Sequence, residues 1–365
     1  MRARVNKKDF LIVLGHALSI VDKRPAIPIL SHVLLDFEDG RIALRATDLD
    51  HSIFDAVDAQ VDTYGRVAVP AQTFYDIIKK ANEESDIELS LVDHGHRMMI
   101  TNGNAKFEVV VANGQEFPIV TRVGHERGFS IDSDELKRVI DRTKFSMSVD
   151  ESRHVLNSLY FHYVDDVFKA VATDSHRLAV AKINLLSSEN LNSFLLSRKT
   201  VTELRKLLDG FDGVVHVSLS DAQVEFEIGR KLFVAKVIEG RFPEYTAAIP
   251  MLDGRSFIVD RRKFIAVIDR VAVISDDKAR RVRLDVESGK MCASAVSIGF
   301  GSGQDEITIE YDGDRWSSGF NARYLLDVAE ALQGERLRIV INDSPMLVMD
   351  PGEQESLYVV MHLHM

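Results

Sequence analysis

One cysteine, Cys292, in a chain of 365 residues excludes an internal disulfide framework and points to a reducing compartment. A lone cysteine of this kind reads as a small buried apolar residue. Long apolar runs are missing too, since none approaches the roughly 18 residues of a membrane span. No secretory apolar region follows Met1-Arg2-Ala3-Arg4-Val5, so a cytoplasmic protein is expected. Cysteine and histidine never fall at metal-ligand spacing, and no Walker-type or dinucleotide glycine fingerprint occurs, so no metal and no cofactor are expected. The glycine-rich Gly299-Phe300-Gly301-Ser302-Gly303 precedes no Lys-Ser or Lys-Thr pair and opens no helix; it reads as a flexible loop between strands. Positive charge is in deficit. Lysine and arginine number 45 against 56 acids, and the net charge of −11 alone argues against a nucleic-acid binder. The carboxylates scatter over solvated positions such as Glu83-Glu84 at a helix end and Asp276-Asp277 in a short connection.

What is present is a globular composition, 45% hydrophobic and 28% charged with 8 prolines, in a chain long enough for two or three domains. An internal repeat organises it. Three segments open alike: Val5-Asn6-Lys7-Lys8-Asp9-Phe10, Ile131-Asp132-Ser133-Asp134-Glu135-Leu136 and Val259-Asp260-Arg261-Arg262-Lys263-Phe264. In each, a capping Asn or Asp precedes a helix-period stretch, predicting helices over 7–21, 133–144 and 261–273. Hairpins follow, with strands over 31–37 and 41–47, 159–164 and 168–173, and 282–286 and 290–296. A second helix then begins at Pro70-Ala71-Gln72, Ser197-Arg198-Lys199 and Asn321-Ala322-Arg323, and further strands come after it. In the third copy these span 337–341, 345–349 and 357–363. Equivalent positions recur roughly every 125 residues, a single-domain size. The breaks fall at Arg122 to Gly128 and at Pro250 to Arg255, where Met251-Leu252-Asp253-Gly254 reads as a linker. The expected domains are residues 1–125, 126–252 and 253–365. Two helices and many antiparallel strands per copy make an α+β plan with the helices on one face of the sheets.

Charge location qualifies the charge sum. The helices carry Lys7, Lys8, Lys79, Lys80, Arg138, Arg142, Lys144, Arg198, Lys199, Arg205, Lys206, Arg261, Arg262, Lys263, Arg270 and Arg323. The hairpins carry Asp36, Glu38, Asp39, Asp165, Asp166, Asp285 and Glu287. A shared helix face would be basic and could hold a phosphate backbone without reading sequence. A mixed surface of solvated helices is the other reading, and pattern alone leaves both open.

The densest polar stretch is Ala172-Thr173-Asp174-Ser175-His176-Arg177-Leu178-Ala179-Val180. Asp174, Ser175 and His176 suggest a hydrolase or nuclease, but neighbouring strand residues point to opposite faces and cannot converge as a triad. The first copy carries Ala46-Thr47-Asp48-Leu49-Asp50-His51 at the same place, so the Thr-Asp pair suits a strand corner. A sequence-specific DNA-binding protein is a third reading, but no helix has a convincing base-reading face.

Several motifs in order resemble the beta-subunit, or sliding-clamp, family of bacterial DNA polymerase III. They are Arg24-Pro25-Ala26-Ile27-Pro28-Ile29-Leu30, the stretch 172–179, Gly240-Arg241-Phe242-Pro243-Glu244-Tyr245 and Tyr358-Val359-Val360-Met361. The resemblance spans essentially the whole chain. It implies the DNA clamp fold and a head-to-tail homodimer whose six domains close a ring, helices lining the hole. It implies a non-catalytic DNA replication processivity factor of the polymerase III holoenzyme that encircles and slides on duplex DNA of any sequence. Its implied partners are the alpha subunit, the clamp loader, and other polymerases and repair proteins that compete for one peptide pocket, with no membrane involved.

Three residue sets carry over. The pocket set is Leu156, Thr173, Ser175, His176, Arg177, Leu178, Pro243, Ala248, Pro345, Leu347, Val359, Val360, Met361 and Leu363, an apolar cleft rimmed by His176 and Arg177 for a short extended peptide with leucine or phenylalanine anchors. The DNA-facing set is Arg24, Arg153, Arg198 and Lys199. The dimer set is Lys106 and Phe107 on one edge, Val273 and Ile274 on the other. The chain also departs from the family pattern. Ser175 replaces a common glycine, Ala247 an arginine, and His362 and His364 a proline and an arginine, so peptide preference is open. Asp150 stands at a DNA-approaching position, and the interface acids shrink to Asp305-Glu306, leaving Phe107, Val273 and Ile274 to contribute more.

Overall fold

Six α-helices form among the described residues: α1 (Lys7–Ile20), α2 (Ala71–Lys80), α3 (Ser133–Thr143), α4 (Arg198–Leu207), α5 (Arg261–Ala272) and α6 (Ala322–Ala331). The structure, a computed structural model, describes every residue except 23, 84, 121, 125–126, 165, 190, 252–253, 276–279, 342–344 and 364–365, and the side chain of residue 354. The helices start where the capping residues put them. The Asn6 carboxamide accepts the Lys8 amide at 2.9 Å, Asp132 accepts the Asp134 amide at 2.8 Å, and Asp260 accepts the Lys263 amide at 2.8 Å. Ser197 and Asn321 do the same for the second helices, accepting the amides of Thr200 at 3.0 Å and Arg323 at 2.9 Å. Each cap satisfies an amide that the first turn leaves unpaired.

Each helix buries one stripe. In α1 it is Phe10, Val13, Leu14 and Ala17, and in α2 Phe74 and Ile78, with the Phe10 and Phe74 rings meeting edge-on at 5.7 Å. In α5 and α6 the buried residues are Phe264, Val267, Ile268 and Val271 against Leu325, Val328 and Ala329. Each valine, leucine, isoleucine and phenylalanine among them contributes about 1.5–3 kcal/mol on leaving water. The hairpins pair His32–Glu38 with Arg41–Thr47, Ser158–Val164 with Val167–Thr173, and Arg281–Glu287 with Lys290–Ser297.

Strand pairing gathers the chain into two compact units, the first of residues 1–134, 185–191 and 202–237, the second of 135–184, 192–201 and 238–365. Unit one holds a fourteen-stranded sheet in which Leu232–Ala235 pairs antiparallel with His51–Phe54. Unit two holds an eight-stranded sheet, in which Arg177–Ala181 pairs antiparallel with Ser356–Val360, and a four-stranded one. The central repeat thus contributes strands to both units.

Several elements differ from the sequence reading. The last strand is Glu353–Val360, not 357–363, because its partner strand begins at Arg177; beyond it the Met361 amide donates to His176 O at 2.9 Å and the Leu363 amide to Gly319 O at 2.8 Å. The glycine-rich stretch is no loose loop, since Gly301–Thr308 is a strand paired to Lys290–Ser297 from Ser297↔Gly301 onward. Helix α3 stops at Thr143, and Lys144–Ser146 tightens into a 3₁₀ turn. The first break is anchored: Val123 is buried against Leu232 and Val234. Glu84, Asp165, Leu252, Asp253, Asp276 and Asp277 lie outside the described residues.

A buried ion pair fastens α3 to the last strand in unit two. Arg142, 4% exposed, donates to Glu353 and, at 3.2 Å, to Ser356 Oγ. Removing one partner strands the guanidinium away from water, so Glu353→Ala should cost about 3 kcal/mol in denaturant unfolding. Arg142→Met combined with Glu353→Leu should restore most of it. An unchanged midpoint in Glu353→Ala would contradict the role given to this pair.

Candidate functional site

The stretch around Thr173 and Asp174 folds as a hydrogen-bonded corner. Thr173 Oγ1 donates to Arg177 O at 2.7 Å and accepts the Ser175 amide at 3.2 Å, while Asp174 Oδ1 accepts the amides of His176 at 2.9 Å and Arg177 at 3.0 Å. The first repeat builds the same corner: Thr47 Oγ1 donates to His51 O at 2.8 Å, and Asp48 Oδ1 accepts the amides of Asp50 at 3.0 Å and His51 at 2.6 Å. The third corner residue takes a left-handed backbone in both, with φ 79° at Ser175 and 76° at Leu49. That conformation favours glycine, so a serine at 175 is held in a strained backbone. Asp174, Ser175 and His176 are spent on turn geometry and form no relay.

Arg177 is also committed. Its guanidinium bonds Asp174 at 3.0 Å, Asp327 at 2.6 Å and Phe145 O at 2.5 Å, and lies 4.4 Å from the Tyr324 ring centroid. It ties the corner to α6 instead of offering a mobile charge. His176 is exposed and stacks near Tyr324, ring centroids 6.3 Å apart.

Behind the corner, strand register sets one row on one face. Thr173 pairs with Leu178, Leu178 with Val359, Val359 with Leu347, and Leu347 with Val340. Leu178, Leu347 and Val359 belong to an apolar cluster with Phe242 and Tyr245, against which Ile249 packs. Val360 is not in this row. It pairs with Arg177 on the opposite face and joins the core beneath α5 and α6, as the two-residue period demands. Pro243 and Ala248 are exposed, Leu156 and Pro345 half-buried, and Met361 and Leu363 lie on the segment leaving the last strand.

Aromatic rings pack against this row. Tyr160 stacks on Phe242 at 4.8 Å and on His162 at 4.4 Å, and the Tyr245 hydroxyl lies 2.9 Å from His162 Nε2. Burial pushes the Tyr245 hydroxyl up to about 12 and keeps it protonated. Burial, with Lys169 nearby, holds His162 below its ordinary value.

Of the DNA-facing set, Arg24 is exposed in unit one. In unit two Arg153 donates to Ser175 Oγ, and Arg198, first in α4, donates to Met147 O at 3.0 Å beside exposed Lys199. Hydrogen bonds from the Ser152 hydroxyl and amide hold the Asp150 carboxyl below the usual range, so its charge persists. Several helix cations counted from sequence point inward. Lys7 donates to Ala81 O at 2.6 Å, Arg261 to Gly334 O at 2.7 Å, and Arg142 is buried. Lys8, Lys79, Lys80, Arg262 and Lys263 remain exposed.

The interface set falls on strand edges. Lys106 and Phe107 lie on Ala105–Val110, paired only with Arg97–Asn102 among the described residues. Val273, 81% exposed, and Ile274 follow α5 beside Gly301–Thr308, likewise paired on one side only. Three apolar residues escaped the sequence reading: Val296, Ile298 and Phe300 (78% exposed), at the end of that hairpin. Their period-two spacing, carried past the buried strand, was the available signal. Among the described residues no group of three or more His, Cys, Asp or Glu side chains could hold a metal.

Comparison with known proteins gives one answer along the chain. Family models for the DNA polymerase III beta subunit match residues 1–121 (N-terminal domain), 130–244 (central) and 246–364 (C-terminal). The beta sliding clamp of Caulobacter vibrioides is 36% identical and that of Escherichia coli 30%, each over 100% of both chains. The solved structure of the Caulobacter crescentus beta sliding clamp superposes with a TM-score of 0.96 at 36% identity, covering 100% of this chain and 99% of that one. A Bartonella birtlesii sliding clamp bound to griselimycin gives 0.95 at 35%, covering 100% of both.

Two outcomes are expected. Ser175→Gly relieves the left-handed backbone and should raise stability by about 1 kcal/mol, read as a higher melting temperature; a lower one would contradict the strain. Because the folded state depresses His162, its contribution is intact above the ordinary value of 6.5 and is lost as pH falls below it. Unfolding free energy should therefore drop between about pH 7.5 and 5.5, with a shallower drop in His162→Gln. Identical slopes would remove His162 from the account.

Proposed function

The chain belongs to the DNA polymerase III beta-subunit family, and from that membership we propose that it closes a ring with a second copy of itself and docks partners over Leu178, Val359 and Leu347. It is a DNA replication processivity factor and not itself an enzyme. Its three clamp domains occur in tandem, and we place their limits at residues 1–125, 126–252 and 253–365. Its partners include DNA and the polymerase. No helix among the described residues is long and apolar enough to cross a membrane; we read the protein as cytoplasmic.

The apolar row from Thr173 through Leu178 and Val359 to Leu347 carries the docking reading. An apolar row beside aromatic rings, with Pro243 and Ala248 exposed next to it, suits an extended peptide that inserts leucine or phenylalanine, and the corner fixes the polar rim. One pocket per chain makes the alpha subunit, the clamp loader, and other polymerases and repair proteins competitors. Head-to-tail closure is supported by two strand edges, Ala105–Val110 and Gly301–Thr308, each with a free side and exposed apolar neighbours. A heterologous contact of this kind closes only if its rotation does. Arg24, Arg153, Arg198 and Lys199, with the exposed helix lysines, would meet the phosphate backbone without reading bases.

Light scattering after size exclusion should give a dimer; a strict monomer at micromolar concentration would sink the ring. After loading, the protein should slide off linear DNA and stay on closed circles, and equal retention on both would end the tethering reading. Deleting residues 361–365 should abolish binding of a polymerase-derived peptide and leave the dimer. Unchanged affinity would move the docking site elsewhere.

A further inference from the structure

The corner at Thr47 and the corner at Thr173 sit in front of sheets that keep the same register. The unit-two row is Thr173, Leu178, Val359, Leu347, Val340; the unit-one row is Thr47, Ser52, Val234, Glu225, Ser218. The bond that closes each corner also repeats. The Met361 amide donates to His176 O at 2.9 Å, and the Lys236 amide donates to Asp50 O at 2.8 Å. Both approaches carry a buried phenylalanine followed by proline, Phe117-Pro118 and Phe242-Pro243. Unit one therefore contains the frame of a second cleft.

Its floor differs at three positions, with Ser52, Glu225 and Ser218 where unit two has Leu178, Leu347 and Val340, and the glutamate is the charged one. Glu225 is 1% exposed. Both its oxygens are taken by the segment that passes overhead: Oε1 accepts Arg122 Nη2 at 2.9 Å, and Oε2 accepts the Val123 amide at 3.0 Å. The Val123 side chain, 6% exposed, packs on Phe54, Leu232 and Val234, the register equivalents of Val180, Leu357 and Val359. In unit two the corresponding segment is the 3₁₀ turn Thr246–Ala248, whose three residues are all exposed. Ala247 and Ala248 bring neither a cation nor a side chain of valine's size, and the leucine beneath offers no acceptor. A buried carboxylate must keep its donors, so in unit one the segment is held down by a charge, whereas in unit two the turn is held by its own local bonds, Thr246 to Glu244 and the Ala248 amide to Tyr245 O.

We propose that the junction of the first two repeats is a closed copy of the partner cleft, with the chain's own Arg122-Val123 as its resident ligand and Glu225 as the latch. The inference rests on the reading of the unit-two cleft as a peptide site. The ligand chemistry is the same in both: an extended segment that sets an apolar side chain on the central valine. The latch and the two floor serines, Ser52 and Ser218, together limit the chain to one peptide.

The test uses the full-length protein and a polymerase-derived peptide with leucine and phenylalanine anchors. Ser52→Leu, Glu225→Leu and Ser218→Val combined with Arg122→Ala and Val123→Ala copy the open cleft into unit one. Calorimetric titration should give two peptides per chain against one for the unaltered protein. A variant that keeps its dimer and its melting transition yet still binds one peptide overturns the proposal. Should that variant fail to fold, amide exchange at Val123 in Arg122→Gln decides, because loss of the latch should speed exchange about tenfold. An unchanged Val123 rate rejects the latch. Failure of the unaltered protein to bind any peptide would instead count against the unit-two reading, and the exchange result would still judge the latch.

Discussion

Backbone pairing between Leu178 and Val359 is the constraint on which the candidate site depends. It joins a strand of the second repeat to the last strand of the third, so neither is left as a bare edge. It also fixes the side-chain faces. Leu178, Val359 and Leu347 are turned together toward Phe242 and Tyr245, and Arg177 and Val360 are sent to the other side, where Arg177 grips Asp327 and the Tyr324 ring. A shift of one residue would exchange the two sets and leave a guanidinium on the floor of the cleft. The same device at His51–Phe54 and Leu232–Ala235 continues the first repeat's sheet into the second.

Charge is distributed by the same economy. The chain is acidic overall, yet cations concentrate on the helices. Some of them build the fold: Lys7 and Arg261 donate to backbone carbonyls, and Arg142 joins α3 to the last strand. The exposed remainder on the helices is what a phosphate backbone could meet. Exposed charges of this kind contribute little to stability and act through the field they set up near polyanions.

Much of the fold was legible because its signals are local. Asn6, Asp132 and Asp260 announce helix starts through side-chain hydrogen bonds to first-turn amides, and alternation announces the hairpins. The repeat itself exposed the structural role of Thr173 and Asp174. What stayed hidden needs the third dimension. Sequence counts Arg142 and Arg177 as positive charge, but only packing reveals that both are enclosed. Val359 and Val360 read alike as apolar neighbours, and only register separates floor from core. The latch on Glu225 depends on contacts between segments about a hundred residues apart, for which no local pattern exists. The exposed Ile298 and Phe300 were masked by glycines that read as a loop.

The account joins a family role in replication to a docking surface made by one strand pairing. Its central claim is that the floor of that surface holds the polymerase. Primer extension on a primed, closed DNA circle with Leu347→Glu tests this most directly, because the substitution places on the floor the residue that unit one carries at Glu225. The account predicts that the variant keeps its dimer and its melting transition while product length falls to that of the polymerase alone. Long products from a folded, dimeric Leu347→Glu protein would contradict it.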